Sequence, residues 1–145
     1  MLVPELKELL QYWRERYGTQ DLPPRPLLSQ DQLEPWTRHL AWIELTGDDS
    51  LIIRRFGYDL TRRYGREATG EMVDDLAPDI ASSLREVIWR VAAAKAPVSS
   101  TASVALGRDA AIFSELGLPM ARMDGQVNLI VIASYEIIRP QAARR

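Results

Sequence analysis

The amino-terminal residues repeat apolar side chains at the spacing of an amphipathic helix. Five of them, at steps of four, three, four and four residues, share one face: Leu2, Leu6, Leu9, Trp13 and Tyr17. Gly18 marks the end of this helix. Three prolines between residues 21 and 26 exclude a helix and a sheet interior, so we expect a stiff connector there. Ser29 and Gln32 have the spacing of a capping box, which predicts a second, short helix running towards His39.

A hairpin and a set of helices are predicted in the middle of the chain. Residues 40–45 and 51–56 have strand composition, and the turn residues between them favour a β-hairpin. A short helix fits residues 60–64, and Thr69 can cap another that runs through Leu76. Pro78 suits the first turn of a longer helix. Its inward stripe is Ile80, Leu84, Val87, Ile88 and Val91.

Three further strands are predicted near the carboxyl end. They cover residues 98–106, residues 111 to about 123, and residues 126–138, with Asp124-Gly125 as the turn before the last. Pro119 predicts an edge position or a bulge in the second of these strands. The last strand is apolar on both faces, as expected of a central strand. This order of elements predicts an α+β fold with an antiparallel sheet covered on one face.

Length and composition limit the classes of protein that fit. A chain of 145 residues holds one domain, and 46% hydrophobic with 26% charged residues is typical of globular proteins. We expect amino-terminal helices and a link over residues 1–39, a sheet-bearing domain over 40–138 and a frayed tail over 139–145. The net charge of −2 argues against nucleic-acid binding.

The absence of cysteine and of long apolar runs excludes further classes. Without cysteine the chain has no disulfide, thiolate nucleophile or sulfur-ligated metal. The longest apolar run, residues 129–133, is far shorter than the roughly 20 residues that span a bilayer. The first residues lack the pattern of a secretory signal. These features predict a cytoplasmic protein.

The element order and several short motifs resemble the PAS superfamily. More narrowly, the chain is similar to a family of small bacterial PAS-like proteins, widespread in alphaproteobacteria and formerly of unknown function. The matching residues are Leu9, Tyr12 and Trp13 in the first helix, Leu22, Pro23, Pro24 and Arg25 in the link, Arg54, Gly57 and Leu60 at a strand end, Gly65, Thr69 and Gly70 in a turn, and Leu118, Pro119, Asp124 and Gly125 before the last strand. Tyr58 stands where the family usually has threonine.

The resemblance implies a PAS-like five-stranded antiparallel sheet over residues 40–138. Short helices and one longer connecting helix would cover one face of it, and residues 1–39 would form an amino-terminal helical extension. It also implies a homodimer through the amino-terminal helix. The residues themselves leave the cover of the apolar stripe open, because either this domain or a second chain can bury it.

Few side chains have the types and spacing that catalysis requires. His39 is the only histidine, so a catalytic triad and a multi-histidine metal site are excluded, and we interpret it as a partly exposed residue near a helix end. It lies outside the region from which PAS domains ligate haem, and flavin photochemistry needs a cysteine. Both cofactors are therefore disfavoured, and no other cofactor is indicated. Asp74, Asp75 and Asp79 complement the dipole at a helix start.

The candidate ligand-binding residues are an arginine and four aromatic residues. Arg54 and Arg55 alternate on a strand, so we expect only one to point towards the helices, where it could bind an anion. The resemblance places a ligand cavity between sheet and helices, although large aromatic side chains more often fill a core. The candidates are Arg54, Tyr58, Tyr64, Trp89 and Tyr135.

Three hypotheses about function follow. The first is a non-enzymatic PAS-type sensory or regulatory module in signal transduction, which acts through protein–protein contacts with a signalling partner and through a small-molecule ligand. The second is a small enzyme on an α+β cone, of the isomerase or hydratase type, which needs a buried carboxylate; Glu44 and Glu136 are the acids that sequence leaves available for this role. The third is a ligand-free structural adaptor with a filled core.

Overall fold

A computed structural model describes residues 2–17, 32–106, 109–123 and 125–138. The described residues run from helix α1 to three consecutive strands, which belong to a five-stranded sheet. The elements are α1 (Pro4–Tyr17), a 3-10 helix (Glu34–His39), β1 (Leu40–Leu45), β2 (Leu51–Phe56), α2 (Tyr58–Tyr64), a 3-10 turn (Val73–Asp75), α3 (Pro78–Ala94), β3 (Val98–Leu106), β4 (Asp109–Met123) and β5 (Gln126–Ile138).

Most predicted elements are confirmed, and the helix predicted from Thr69 to Leu76 is wrong. Only a three-residue 3-10 turn forms there. The Thr69 hydroxyl donates a 2.6 Å hydrogen bond to the Glu67 carboxylate, so it does not cap a helix. The helix predicted towards His39 is a 3-10 helix, and the capping residue Ser29 lies outside the described residues, as do Gly18 and the proline-rich connector.

The sheet is antiparallel with the strand order β2-β1-β5-β4-β3. β5 lies at its centre, as its apolar sequence predicted, and residues on both of its faces are buried. β4 is an interior strand, and its pairing shifts register between Pro119 and Ala121. The bulge predicted from Pro119 is therefore confirmed. β3 pairs with β4 only as far as Gly117, so Pro119 also lies where β4 has β5 as its single strand neighbour, as the alternative of an edge position predicted.

Helices α2 and α3 cover one face of the sheet, which we call the inner face. The stripe predicted on α3 is buried there through Leu84, Val87, Ile88 and Val91. The helix approaches β4 so closely that a Cβ at Gly117 would lie 2.6 Å from Cγ2 of Val91. Other members of this core are Ala41, Ile43, Leu51, Ile53, Phe56, Leu60, Ile130 and Ile132.

The opposite, outer face is covered by α1 and the first 3-10 helix, so the expectation of a sheet covered on one face is wrong. Leu6 and Leu9 are fully buried, and the indole Nε1 of Trp13 donates a 2.9 Å hydrogen bond to the carbonyl oxygen of Pro119. The cluster on this face is Leu6, Leu9, Trp13, Leu33, Trp36, Leu40, Leu116, Leu118, Met120, Val131 and Ala133. Because the apolar stripe lies on the chain's own sheet, it does not need a second chain to cover it.

Candidate functional site

A cluster of charged, polar and aromatic side chains lies between α2 and the inner face of the sheet. Nη1 of Arg63 donates a 2.8 Å hydrogen bond to Oγ of Ser134, and Nη2 donates a 3.3 Å bond to the carbonyl oxygen of the same residue. Oγ of Ser134 donates in turn to Oε2 of Glu115 at 2.9 Å. The guanidinium carbon lies 3.8 Å from the ring centroid of Phe113. We call Arg63, Phe113, Glu115 and Ser134 the inner charged cluster.

Strand pairing fixes this arrangement. Glu115 on β4 is the direct partner of Ser134 on β5, so the two side chains share the inner face. Arg63 approaches from the last turn of α2, which ends at Gly65 in the left-handed conformation, with φ of 79°. Glycine adopts this conformation without steric cost, so the chain can leave the helix directly after the arginine.

Burial dominates the electrostatics of the cluster. Glu115 is only 3% exposed, and its Oε1 has no hydrogen-bond partner among the described residues. Burial raises the pKa of the Glu115 carboxyl above its usual range, and the hydrogen bond from Ser134 and the charge of Arg63 oppose this rise. Burial also raises the pKa of the neighbouring Tyr64 hydroxyl. The site therefore holds a carboxyl group that favours its proton more than an exposed glutamate does.

This shift predicts that the stability of the protein depends on the charge of Glu115. Because the folded state raises the pKa of this group, its stabilising contribution is complete below the unfolded value of 4.5 and is lost as the pH rises through the folded pKa. In Glu115→Gln this loss is absent, so we expect the stability of the variant relative to wild type to increase as the pH rises from 4 to 8. Urea unfolding across this range measures the difference. Glu86→Gln, at an exposed position of α3, is the control and should keep the wild-type dependence on pH.

A second polar group joins the first 3-10 helix to α2. Nε2 of His39 lies 2.9 Å from Oδ2 of Asp59, and Nη2 of Arg38 lies 2.9 Å from Oδ1 of the same carboxylate. The imidazole stacks on the Tyr135 ring, with 3.8 Å between the ring centroids. Burial lowers the pKa of His39, although Asp59 opposes this change. We call Arg38, His39 and Asp59 the bridge.

Gly57 allows the bridge to form. A Cβ atom at this position would lie 2.4 Å from the carbonyl oxygen of Arg38, so only glycine lets the start of α2 approach the 3-10 helix this closely.

Burial and nearby carboxylates raise the pKa of Tyr135 to about 12. At neutral pH the ring under His39 is therefore a neutral phenol.

An open groove of about 740 Å³ lies at the end of the sheet where α3 finishes. Its walls come from the β1–β2 turn, the last turns of α3 and the start of β5. The lining residues are Glu44, Leu45, Thr46, Gly47, Asp49, Trp89, Ala92, Ala93, Lys95, Gln126, Val127 and Asn128. We call it the Trp89 groove. A smaller depression of about 200 Å³, which includes Tyr58, lies beside β2.

The structure does not bring the five predicted ligand-binding residues together. Tyr64 packs in the inner core against Phe56, whereas Tyr135 packs with the cluster on the outer face. Trp89 lines the groove. Tyr58 is 60% exposed, and the guanidinium groups of Arg38 and Arg62 lie over its ring.

Arg54 is exposed rather than inward. The pairing of β1 with β2 shifts register, so that Trp42 pairs with Arg55 and Ile43 with Ile53. This bulge at Arg54 breaks the alternation that the sequence analysis assumed, and both arginines are exposed. Nε of Arg54 instead forms an ion pair with Glu44 on the neighbouring strand. The arginine that does reach the inner face is Arg63.

Glu115 was not among the residues predicted from sequence. Every acid other than Glu44 and Glu136 was expected to lie in a turn, at a helix start or on an exposed strand face, and this is wrong for Glu115. The available signal was the mostly apolar segment around it, residues 111–120, because a strand covered on both faces buries side chains of both alternating sets. Glu44 has a side chain that is 38% exposed, and Glu136 is exposed.

Neither a metal site nor a membrane-spanning helix is found in the described parts of the chain. No group of three or more histidine, cysteine, aspartate or glutamate residues is placed to hold a metal ion within those ranges. Among the described helices, none combines the length and apolar character needed to cross a bilayer.

Comparison with solved structures identifies the fold. The sensory box of a sensor histidine kinase from Vibrio cholerae superposes with a TM-score of 0.50 and 14% sequence identity, over 75% of this chain and 86% of that one. The sheet of this chain is five-stranded and antiparallel, with helices between its second and third strands. The chain has a PAS fold. The PAS domain of BvgS from Bordetella pertussis matches with a lower TM-score of 0.44 and 13% identity, over 97% of this chain and 92% of that one.

Comparisons of sequence give no match to a protein-family model or to a curated protein. At these identities the structural likeness establishes the PAS fold and not the activity. The narrower resemblance to the small alphaproteobacterial PAS-like family stays a prediction.

Proposed function

We propose that this protein is a non-enzymatic PAS-type regulatory module in signal transduction. Its output would be a change in the surface that α1 and the outer sheet face offer to a signalling protein. Its input would be a small-molecule ligand or a partner that favours one position of α2. Such a module works by shifting the populations of two arrangements, so it requires a physical link between α2 and α1.

The observation that carries the proposal is a continuous chain of contacts between these two helices. On one side of the first 3-10 helix, Arg38 and His39 bind Asp59 at the start of α2. On the other side, the indole Nε1 of Trp36 donates a 2.9 Å hydrogen bond to the carbonyl oxygen of Glu5 in α1. Although α1 and α2 lie on opposite faces of the sheet, this short helix contacts both of them.

Breaking the bridge tests the proposal. In Asp59→Asn the ion pair with Arg38 is lost and the charged acceptor beside His39 is removed. We expect amide hydrogen exchange in residues 4–17 of α1 to become at least about threefold faster, beyond any change near α2 itself. Asp74→Asn is the matched control, because it removes an exposed ion pair with Arg85 on another part of the surface. If both variants leave exchange in α1 at the wild-type rate, the bridge does not couple the helices and the proposal fails.

The enzyme hypothesis now has a buried carboxylate in Glu115, but not a site that a substrate can reach. The carboxylate is 3% exposed and lies in a cluster with Arg63, Phe113 and Ser134. A general base must come within hydrogen-bond distance of the proton that it removes. The packing around Glu115 therefore favours a regulatory role over an isomerase or hydratase.

The partner, the homodimer and the cytoplasmic location stay predictions. Because the apolar stripe of α1 is buried on the sheet, a homodimer through this helix would use its other face, which carries Glu5, Lys7, Glu8, Arg14 and Glu15. A charged face of this kind suits a reversible contact more than a permanent one. The adaptor hypothesis differs from the regulatory one in having no ligand. A ligand that binds the native state raises the melting temperature of the protein, so a thermal-shift screen distinguishes the two hypotheses.

A further inference from the structure

The Trp89 groove contains several groups that have no partner within the described parts of the chain. Trp89 is 40% exposed, which makes it one of the most exposed large apolar side chains in the structure. The buried Oδ1 of Asn128 accepts no hydrogen bond from any described residue. Asp49 and Lys95 lie on different walls, and neither forms an ion pair with a described residue. The groove thus offers an aromatic surface and one charge of each sign.

The backbone is left-handed at the two charged positions. Among the described residues, Asp49 and Lys95 are the two non-glycine residues with positive φ, at 66° and 54°. Lys95 occupies the position after α3 where glycine is usual, since a Cβ atom is unfavourable in the left-handed conformation. Aspartate adopts this conformation readily in turns, whereas at Lys95 it costs energy, and strained residues concentrate at functional sites. Both residues line the same groove.

These features match a ligand with both charges and an apolar part. The ammonium group of Lys95 can pair with a carboxylate, while the Asp49 carboxylate can accept from an ammonium group. Trp89 and Leu45 provide apolar surface beside them. The volume of about 740 Å³ falls within the range of small-molecule pockets.

We infer that the Trp89 groove binds a small zwitterion with an apolar side chain, which is the chemistry shared by apolar amino acids and short peptides made of them. The inference gives the ligand of the proposed function a chemical class and rests on that function for its regulatory meaning. Binding itself is measured independently. If binding fails while Asp59→Asn still accelerates exchange in α1, then the inference fails and the proposed function stands.

Calorimetric titration of the full chain with matched probes tests the charge requirement. The probes are L-phenylalanine, L-phenylalanine amide, N-acetyl-L-phenylalanine and L-alanyl-L-phenylalanine. The amide lacks the carboxylate and the acetylated compound lacks the ammonium group. We expect each of them to bind at least about tenfold more weakly than the better of the two zwitterions. Which zwitterion binds more tightly distinguishes a free amino acid from a peptide.

Two variants remove the charged groups without harming the fold. Glycine in Lys95→Gly and asparagine in Asp49→Asn both accept positive φ. We expect Lys95→Gly to weaken the zwitterion about tenfold and to leave the amide unchanged, because the amide has no carboxylate for the lysine to bind. Asp49→Asn should weaken the zwitterion and leave the acetylated probe unchanged. Trp89→Ala should weaken every probe.

Arg90→Gln and Tyr58→Ala are the matched controls. They remove an exposed charge on α3 and an exposed aromatic ring outside the groove, so affinity should stay within about twofold of wild type. Absence of binding by all four probes at millimolar concentration would overturn the inference. So would binding that survives unchanged in both Lys95→Gly and Asp49→Asn.

Discussion

Replacing Arg63 by alanine is expected to lower the free energy of unfolding by about 3 kcal/mol. The guanidinium group binds both the hydroxyl and the carbonyl oxygen of Ser134 and lies over the Phe113 ring. A cation over an aromatic ring contributes roughly 0.5 to 2 kcal/mol, and hydrogen bonds to a charged group contribute about 1.5 to 3 kcal/mol. The substitution also removes the positive charge nearest to the buried carboxylate of Glu115. Urea denaturation at pH 7 measures the loss.

The neighbouring arginine provides the control. Arg62 is exposed on the same helix, so Arg62→Ala should change stability by about 0.5 kcal/mol or less. A double-mutant cycle with Glu115→Gln isolates the electrostatic part. If the buried carboxylate is responsible for much of the loss, Arg63→Ala should be less destabilising in the Glu115→Gln background than in wild type. Equal losses for Arg62→Ala and Arg63→Ala would contradict the cluster as described.

The sequence was sufficient to predict the sheet because its signals are local. Strand composition, the turn residues after Leu45 and the apolar stripe of α3 each depend on residues close together in the chain, and the observed strands begin and end near the predicted residues. The same holds for the bulge at Pro119, since proline lacks the backbone donor that a regular ladder needs.

The inner charged cluster depends on features that the local pattern does not contain. The bulge at Arg54 interrupts the alternation of β2 and leaves Arg54 and Arg55 both exposed, and a bulge changes the face of a side chain without changing composition. The burial of Glu115 follows from its pairing with Ser134, nineteen residues away, and from the approach of α2. Neither contact can be predicted from the residues of a single strand.

The predicted ligand residues were dispersed for a related reason. Alternation along a strand gives two sets of side chains, and helices on both faces of the sheet turn them into two separate cores. Tyr64 and Tyr135 were expected at one cavity but belong to different faces. From sequence alone, either this chain or a second one could cover the apolar stripe of α1, so Tyr135 could not be assigned to the outer core.

Replacing Trp13 by alanine tests directly whether α1 covers the outer face of the sheet, and we expect a loss of about 4 kcal/mol in the free energy of unfolding. The indole is 6% exposed, and its Nε1 donates a 2.9 Å hydrogen bond to the carbonyl oxygen of Pro119. Truncation leaves a cavity on the outer face, which costs roughly 3 to 5 kcal/mol for a large aromatic side chain. It also leaves a buried carbonyl group at the bulge of β4 without its donor.

Two further variants separate the cavity from the hydrogen bond. Trp13→Phe keeps most of the ring but not the donor, so it should cost about 1 to 2 kcal/mol. Trp89→Ala removes an indole that is 40% exposed, and should cost about 1 kcal/mol or less because little packing is lost. Urea unfolding of the three variants gives the order. If Trp13→Ala were as stable as Trp89→Ala, α1 would not pack on its own sheet in solution, and its apolar stripe would again be available to a second chain.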